Sequence, residues 1–174
     1  MNEQELFTHY ERIYFHELQR KEQIFSRLNI PLAIIVAIAG FYAVILGGDY
    51  KKLDLGWTIW FWLTFAISLI SLCMGARYFI EALLGKMDKA LATPNDLEIW
   101  RQHLAEYYAD ESEADKIVQT TLKQKLYADY MDCASIITIN NERKSSNLYF
   151  CNVWLIASAV FSVVSYTIGK SPGL

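Results

Sequence analysis

The chain has 174 residues, of which 53% are hydrophobic and 20% are charged, and its formal net charge is −3. Glycine and proline contribute only 8 and 3 residues, which excludes a collagen-like or low-complexity chain. The acidic balance gives no reason to expect direct binding to nucleic acid. The apolar residues are gathered in three uncharged runs, and this distribution decides the class of protein.

An amphipathic helix is predicted in the cytoplasmic N-terminal segment, residues 1–29. Apolar residues recur there at intervals of three and four, as they do on one face of a helix. They are Leu6, Tyr10, Ile13, Tyr14, Leu18, Ile24, Phe25 and Leu28. We expect this helix to lead into the first apolar run.

Residues 30–76 predict a hairpin of two membrane spans. The first span covers residues 30–48, the second covers residues 56–76, and neither contains a charged residue. A helix needs about 20 apolar residues to cross a hydrocarbon core about 30 Å thick. Both runs are long enough, and the short loop of residues 49–55 joins them.

Residues 77–147 predict a helical segment outside the membrane. The second span is expected to continue as helix to Ala92. A new helix is then predicted at residues 93–108, because Thr93 and Pro94 are the residue types that favour a helix start.

The remainder of this segment predicts a break and one more helix. Residues 109–112 are polar and interrupt the apolar periodicity, which resumes at Glu113. The pattern weakens at Asn140–Asn141, so we expect the helix to weaken there as well.

A third span is predicted at residues 148–169, again without charge. Four Lys or Arg residues precede the first span and nine lie in residues 77–147. The positive-inside rule therefore places both segments in the cytoplasm. The sequence predicts an all-α membrane protein with three transmembrane helices, an N-terminal amphipathic helix and a helical cytoplasmic segment.

Small and weakly polar residues form stripes within the spans. Such stripes allow close helix contact or line a pore, and the sequence leaves packing within one chain equally open. The candidate oligomer or pore contacts are Cys151, Asn152, Ser158, Ser162, Ser165 and Gly169 of the third span, with Ala37 and Gly40 of the first.

No phosphate-binding loop, nucleophile elbow or HExxH motif is present. The three cysteines are widely spaced, so we expect neither a disulfide framework nor a metal site, and no cofactor. One weak catalytic alternative is the pair Arg12 and His16. Their spacing puts both on one helix face. The pair resembles the Arg and His of ribonucleases of the HEPN class, in which Arg holds phosphate and His transfers a proton, but its three intervening residues depart from the usual spacing of that class.

The layout resembles that of known bacterial defence proteins. A polar amphipathic helix, here MNEQELFTHYERIYFHELQRKEQ, leads into a two-span hairpin and then into cytoplasmic helices, as in effectors of the SLATT type. With its third span, the chain resembles the small accessory membrane proteins of type VI-B CRISPR systems, a family described as divergently HEPN-like. The resemblance implies an inner-membrane homo-oligomer that forms a pore-like assembly. It also implies antiviral depolarisation of the membrane when an RNA-guided ribonuclease is active.

The leading hypothesis is therefore a non-enzymatic protein whose partners are further copies of itself and the lipid bilayer, coupled functionally to an RNA-guided ribonuclease. One alternative is a membrane-tethered ribonuclease that uses Arg12 and His16. Another is a membrane scaffold that docks a cytosolic defence protein on residues 77–147.

Overall fold

The computed structural model describes residues 3–48 and 53–170. Residues 49–52, which belong to the predicted loop between the first two spans, lie outside the described residues. The described residues are mostly helical and contain no strand. Their helices are α1 (Glu3–Arg27), α2 (Asn29–Leu46), α3 (Leu55–Leu84), α4 (Pro94–Tyr107) and α5 (Ala114–Lys170).

The predicted all-α class with three apolar spans is confirmed. Three helical stretches are long and apolar enough to cross a membrane, and α1 and α2 are counted together in one of them. The stretches are Gln4–Leu46, Leu55–Leu84 and Ala114–Lys170. Each contains one of the predicted spans, although the two that include polar segments are much longer than a bilayer requires.

The expectation that helix continues from the second span to Ala92 is wrong. Helix α3 ends at Leu84, and Gly85 follows it with a φ of 54°. Glycine adopts this left-handed conformation without the steric cost that a side chain brings. Residues 85–93 are not helical.

The predicted start of the next helix is confirmed at Thr93. Its side-chain oxygen accepts a hydrogen bond from the Asp96 backbone N–H over 3.2 Å. The Asp96 carboxylate accepts one from the Thr93 backbone N–H over 3.3 Å. This reciprocal arrangement is a capping box, with Pro94 at the first helical position. Helix α4 ends at Tyr107, and a turn at residues 108–113 precedes α5.

The predicted weakening at Asn140–Asn141 is also wrong, because α5 runs without interruption through both residues. Asparagine disfavours helix interiors when its side chain competes for nearby backbone groups. Here the Asn140 amide donates to Asp88 and the Asn141 amide donates to Glu17. Both side chains are bonded far along the chain, so neither competes with the helix.

The chain divides into two compact units. Unit 1 comprises Met1–Glu22 and Lys86–Asn141, and unit 2 comprises Gln23–Gly85 and Glu142–Leu174. Unit 2 contains the three predicted spans. Its core is formed by α2, α3 and α5 and contains Ile38, Tyr42, Ile45, Phe61, Phe65, Cys151 and Leu155.

Unit 1 packs α1 against α5 through aromatic rings. Tyr130 has two edge-to-face partners, Phe7 and Tyr14, each with its ring centroid 5.6 Å away. Tyr10 meets Tyr127 with centroids 5.2 Å apart. Such pairs stabilise contacts beyond the apolar area that they bury.

Candidate functional site

Unit 2 contains a hydrogen-bonded group of three residues that we call the hydroxyl cluster: Tyr42 of α2, Ser68 of α3 and Ser158 of α5. Ser68 Oγ donates to the Ser158 carbonyl oxygen over 2.7 Å, and Ser158 Oγ donates to the Ser68 carbonyl oxygen over 3.0 Å. A serine hydroxyl has one hydrogen to donate, so this exchange uses both. The Tyr42 hydroxyl is therefore the donor to Ser68 Oγ, 2.8 Å away, and it lies 3.1 Å from Ser158 Oγ. The cluster links all three span helices.

A second polar contact joins α3 and α5 one to two turns from the cluster. Ser165 Oγ lies 2.8 Å from Thr64 Oγ1 and 2.9 Å from the Phe161 carbonyl oxygen. Ser162 Oγ donates to the Ala159 carbonyl oxygen of its own helix over 2.8 Å. The three predicted serines of α5 are buried, with exposed fractions of 0% for Ser158 and Ser165 and 2% for Ser162.

The same face of α5 also packs closely against apolar groups of α3. A Cβ atom on Gly75 would lie 3.0 Å from Leu155 Cδ2, and one on Gly169 would lie 3.3 Å from Phe61 Cε2. Cys151 on this face has an exposed fraction of 0%. The sequence left oligomer contact, pore lining and packing within one chain open for the α5 stripe, and packing within one chain accounts for the burial of these side chains.

Three of the predicted contact residues lie on the outside of unit 2 instead. Ala37 and Gly40 are exposed on α2, and a Cβ on Gly40 would have no atom within 4 Å. Asn152 is exposed on α5. These residues remain available to a second copy of the chain.

The outer surface of unit 2 is strongly apolar. Many large hydrophobic side chains are exposed on all three span helices, whereas the serine and threonine hydroxyls described above lie in the interior. The exposed side chains include Ile30, Leu32, Val36, Val44, Ile59, Trp60, Leu63, Ile70, Phe150, Ile156, Val160 and Val163. A protein in water has the opposite distribution, since large exposed apolar patches are rare on soluble monomers.

Unit 1 contains a buried acidic side chain that the sequence did not single out. Glu17 has an exposed fraction of 6%. Asn141 Nδ2 donates to Glu17 Oε2 over 2.9 Å and to the Glu17 carbonyl oxygen over 2.8 Å. Arg20 also approaches the carboxylate, with 3.5 Å between its guanidinium nitrogen and Glu17 Oε1. The carboxylate is thus satisfied by an amide and a cation.

An ion pair lies nearby in the same unit. Lys21 Nζ is 2.7 Å from Asp88 Oδ2, and Asn140 Nδ2 donates to Asp88 Oδ1 over 2.7 Å. One signal for this pair and for Glu17 was present in the sequence. Glu17 and Lys21 continue the four-and-three spacing of Tyr10 and Tyr14, which places them on the packed face of α1.

The alternative catalytic pair lies at the surface of unit 1. Arg12 and His16 are both exposed on α1. His16 Nδ1 lies 3.6 Å from Glu17 Oε1, and the His16 side chain is 71% exposed. Within residues 3–48 and 53–170, no group of three or more His, Cys, Asp or Glu side chains is arranged to hold a metal ion.

Burial in unit 1 disfavours ionisation of two phenols and one thiol. Burial is the main cause that raises the pKa of Tyr14 and of Tyr130 above the ordinary value of 10.0. Burial likewise raises the pKa of the Cys133 thiol above 9.0. The buried Cys133 lacks both the lowered pKa and the access to solvent that a reactive cysteine requires.

Comparison with known proteins identified no relative: no protein-family model, curated protein or solved structure matches this chain.

Proposed function

We propose that this chain is a multi-pass protein of the bacterial inner membrane that acts as a homo-oligomer and opens a pore-like path. The observation that carries the membrane location is the distribution of polarity in unit 2. Hydroxyl groups are hydrogen-bonded in the interior, and large apolar side chains cover the outside. Lipid is the solvent that this distribution suits, because it satisfies no polar group and favours apolar contact.

The charge distribution supports a cytoplasmic location for unit 1. Thirteen of the 16 Lys and Arg residues lie in residues 1–29 or 77–147, and the other three are Lys51, Lys52 and Lys170. Positive charge concentrates on the cytoplasmic side of membrane proteins. The N-terminus would then be cytoplasmic, and the loop of residues 49–55 would be on the other side.

Assembly of several copies is part of the proposal because one chain has only three spans. Three spans of one chain pack around a filled core of apolar and hydroxyl side chains, so a single copy encloses no aqueous path. A path through the membrane requires several copies around an axis. The antiviral, CRISPR-linked part of this proposal rests on the resemblance in layout, as does coupling to an RNA-guided ribonuclease.

A charged substitution on the outer face tests the membrane location. Ile70 lies near the middle of α3 with an exposed fraction of 62%, and Leu84 is 73% exposed at the end of that helix. Lysine at the centre of a span costs about 2.5–3.5 kcal/mol in insertion. We expect Ile70→Lys to reduce the fraction that resists alkaline carbonate extraction, and Leu84→Lys to behave as wild type. Extraction of the wild-type chain by carbonate would overturn the membrane location.

The size of the purified particle and its conductance test the rest of the proposal. Native mass spectrometry in detergent should give a particle of several copies, and the protein should release ions from liposomes. A monomer that releases none would overturn the homo-oligomeric pore.

A further inference from the structure

Helix α5 has two opposite faces with the same spacing. The inner face, which packs in unit 2, comprises Cys151, Leu155, Ser158, Ser162, Ser165 and Gly169. A second set consists of the residues that precede each member of the inner face by two positions. Two positions correspond to about 200° around a helix axis. We call this set the outer seam, and it comprises Tyr149, Val153, Ile156, Val160, Val163 and Thr167.

The outer seam is exposed along its whole length. Ile156 is 66% exposed, and Val160 and Val163 are each 55% exposed. Its members alternate at intervals of four and three residues, which is the spacing of the contact face in a left-handed pair or bundle of helices.

Asn152 adds a polar group at the cytoplasmic end of this face. It is exposed, and within residues 3–48 and 53–170 its side-chain amide makes no hydrogen bond. An amide that faces hydrocarbon alone is costly, and asparagine in a span bonds across a helix contact. Because the group has both a carbonyl acceptor and N–H donors, it is complementary to a second copy of itself.

Identical residues meet at every position along a seam only if the helices run in the same direction. Membrane insertion gives every copy the same orientation, so α5 helices around a common axis are parallel and present Asn152 at the same depth. The candidate face of α2 at Ala37 and Gly40 is made of small apolar residues and has no comparable polar group.

We infer that the outer seam of α5 is the contact between copies of this chain, with the Asn152 amides hydrogen-bonded to one another around the symmetry axis. The inference rests on the proposed homo-oligomer and names its interface. The side chains at Val153, Ile156, Val160 and Val163 are all β-branched. In parallel coiled coils, isoleucine at both seam positions favours three or four strands over two, which suits an assembly of more than two copies.

Cysteine cross-linking tests the position of the axis. The exposed Cys73 is first replaced by serine, and Cys133 and Cys151 remain because they are buried. In this background, oxidation of the full-length protein in membranes should link copies that carry Ile156→Cys or Val160→Cys. Identical positions come together only next to a symmetry axis.

The matched controls carry the new cysteine on the other two span helices. Val36 of α2 and Ile70 of α3 are 64% and 62% exposed, and Val36→Cys and Ile70→Cys should give little cross-linked product. Cross-links at these two positions and none at Ile156 or Val160 would overturn the outer seam.

Substitution of Asn152 tests the polar contact by a separate measurement. Asn152→Leu keeps the size and removes the hydrogen bond, so we expect the oligomer to dissociate at about three- to thirtyfold higher protein concentration for each amide pair that the substitution removes. Cys73→Leu, at another exposed position, is the control and should leave association unchanged. If Asn152→Leu assembles as tightly as wild type, the amide contact is refuted and the homo-oligomer stands. If the wild-type chain is monomeric, both proposals fail.

Discussion

The two units of this chain bury polar groups of different kinds. Unit 1 encloses an ionisable side chain, Glu17, and satisfies it with an amide and a cation. The spans of unit 2 enclose hydroxyl groups such as Ser68 and Ser158, which bond to each other's backbone. A hydroxyl loses less hydration than a carboxylate when it is buried, so its small gain in hydrogen bonding is enough to keep it inside a membrane-spanning core.

The outer surfaces of the two units also differ, since that of unit 1 is charged and that of unit 2 is apolar. Unit 1 exposes ion pairs such as Lys116–Glu113 and Lys89–Asp132. Unit 2 exposes Ile, Val and Trp side chains on its spans. The two units of the chain therefore distribute polar and apolar side chains between interior and surface in opposite ways. Substitutions that exchange polar for apolar groups should accordingly have different effects in the two units.

The largest effect is expected at the buried acid of unit 1. Asn141→Leu removes the amide that donates to the Glu17 carboxylate at 2.9 Å. A buried polar group without its partner costs about 1–3 kcal/mol, and more if it is charged. We expect the free energy of unfolding to fall by at least this amount, measured by denaturant titration of the full-length protein in detergent.

The double variant Glu17→Leu/Asn141→Leu is the control for that measurement. Replacing both partners by apolar groups is often neutral or stabilising, so the second substitution should restore most of the stability. A double variant that is as unstable as the single one would show that packing around Asn141 matters more than the hydrogen bonds.

Much of the fold could be predicted from the sequence, whereas the contacts between side chains on different helices could not. Uncharged runs locate the spans, and the residue types at Thr93, Pro94 and Asp96 locate the start of α4, because both signals are local. The faces of α5 could be separated by spacing alone. Which face packs inward could not, because that depends on Ser68 and Tyr42 on other helices.

The buried pairs of unit 1 illustrate the same limit. Asn141 contacts Glu17 across 124 positions of sequence, and without that partner it is a poor residue for a helix interior. At Gly85, by contrast, the sequence pattern predicted helix where the structure has none. The apolar pattern continued past it, and a left-handed backbone conformation ended the helix instead.

A smaller effect is expected in the hydroxyl cluster of unit 2. Tyr42→Phe removes the hydroxyl that lies 2.8 Å from Ser68 Oγ and 3.1 Å from Ser158 Oγ. The serines keep their exchange with each other's backbone, so neither is left unsatisfied. Interhelical polar contacts in membranes average about 0.6 kcal/mol, and we expect the free energy of unfolding to decrease by that amount in a titration with denaturing detergent.

Tyr166→Phe, at a half-buried position outside the cluster, is the control and should leave the free energy of unfolding unchanged. A decrease as large as that of Asn141→Leu would contradict the contrast between the units.

The smallest effect is expected at an exposed ion pair of unit 1, where water competes with the partner. Arg101 donates to the Glu98 carboxylate over 2.7 and 2.9 Å, and this hydrogen bonding lowers the pKa of Glu98 from 4.5 to about 2. Because the folded pKa lies below the unfolded one, the pair stabilises α4 above pH 4.5, and this contribution is lost as the pH falls from 4.5 towards 2. An NMR titration of the Glu98 carboxyl carbon should have its midpoint near pH 2, and Arg101→Gln should return it towards 4.5. The Glu98 side chain is 49% exposed, so salt should raise the wild-type midpoint, whereas global unfolding should barely change between wild type and Arg101→Gln. A midpoint near 4.5 in the wild-type protein would mean that the pair does not persist in solution.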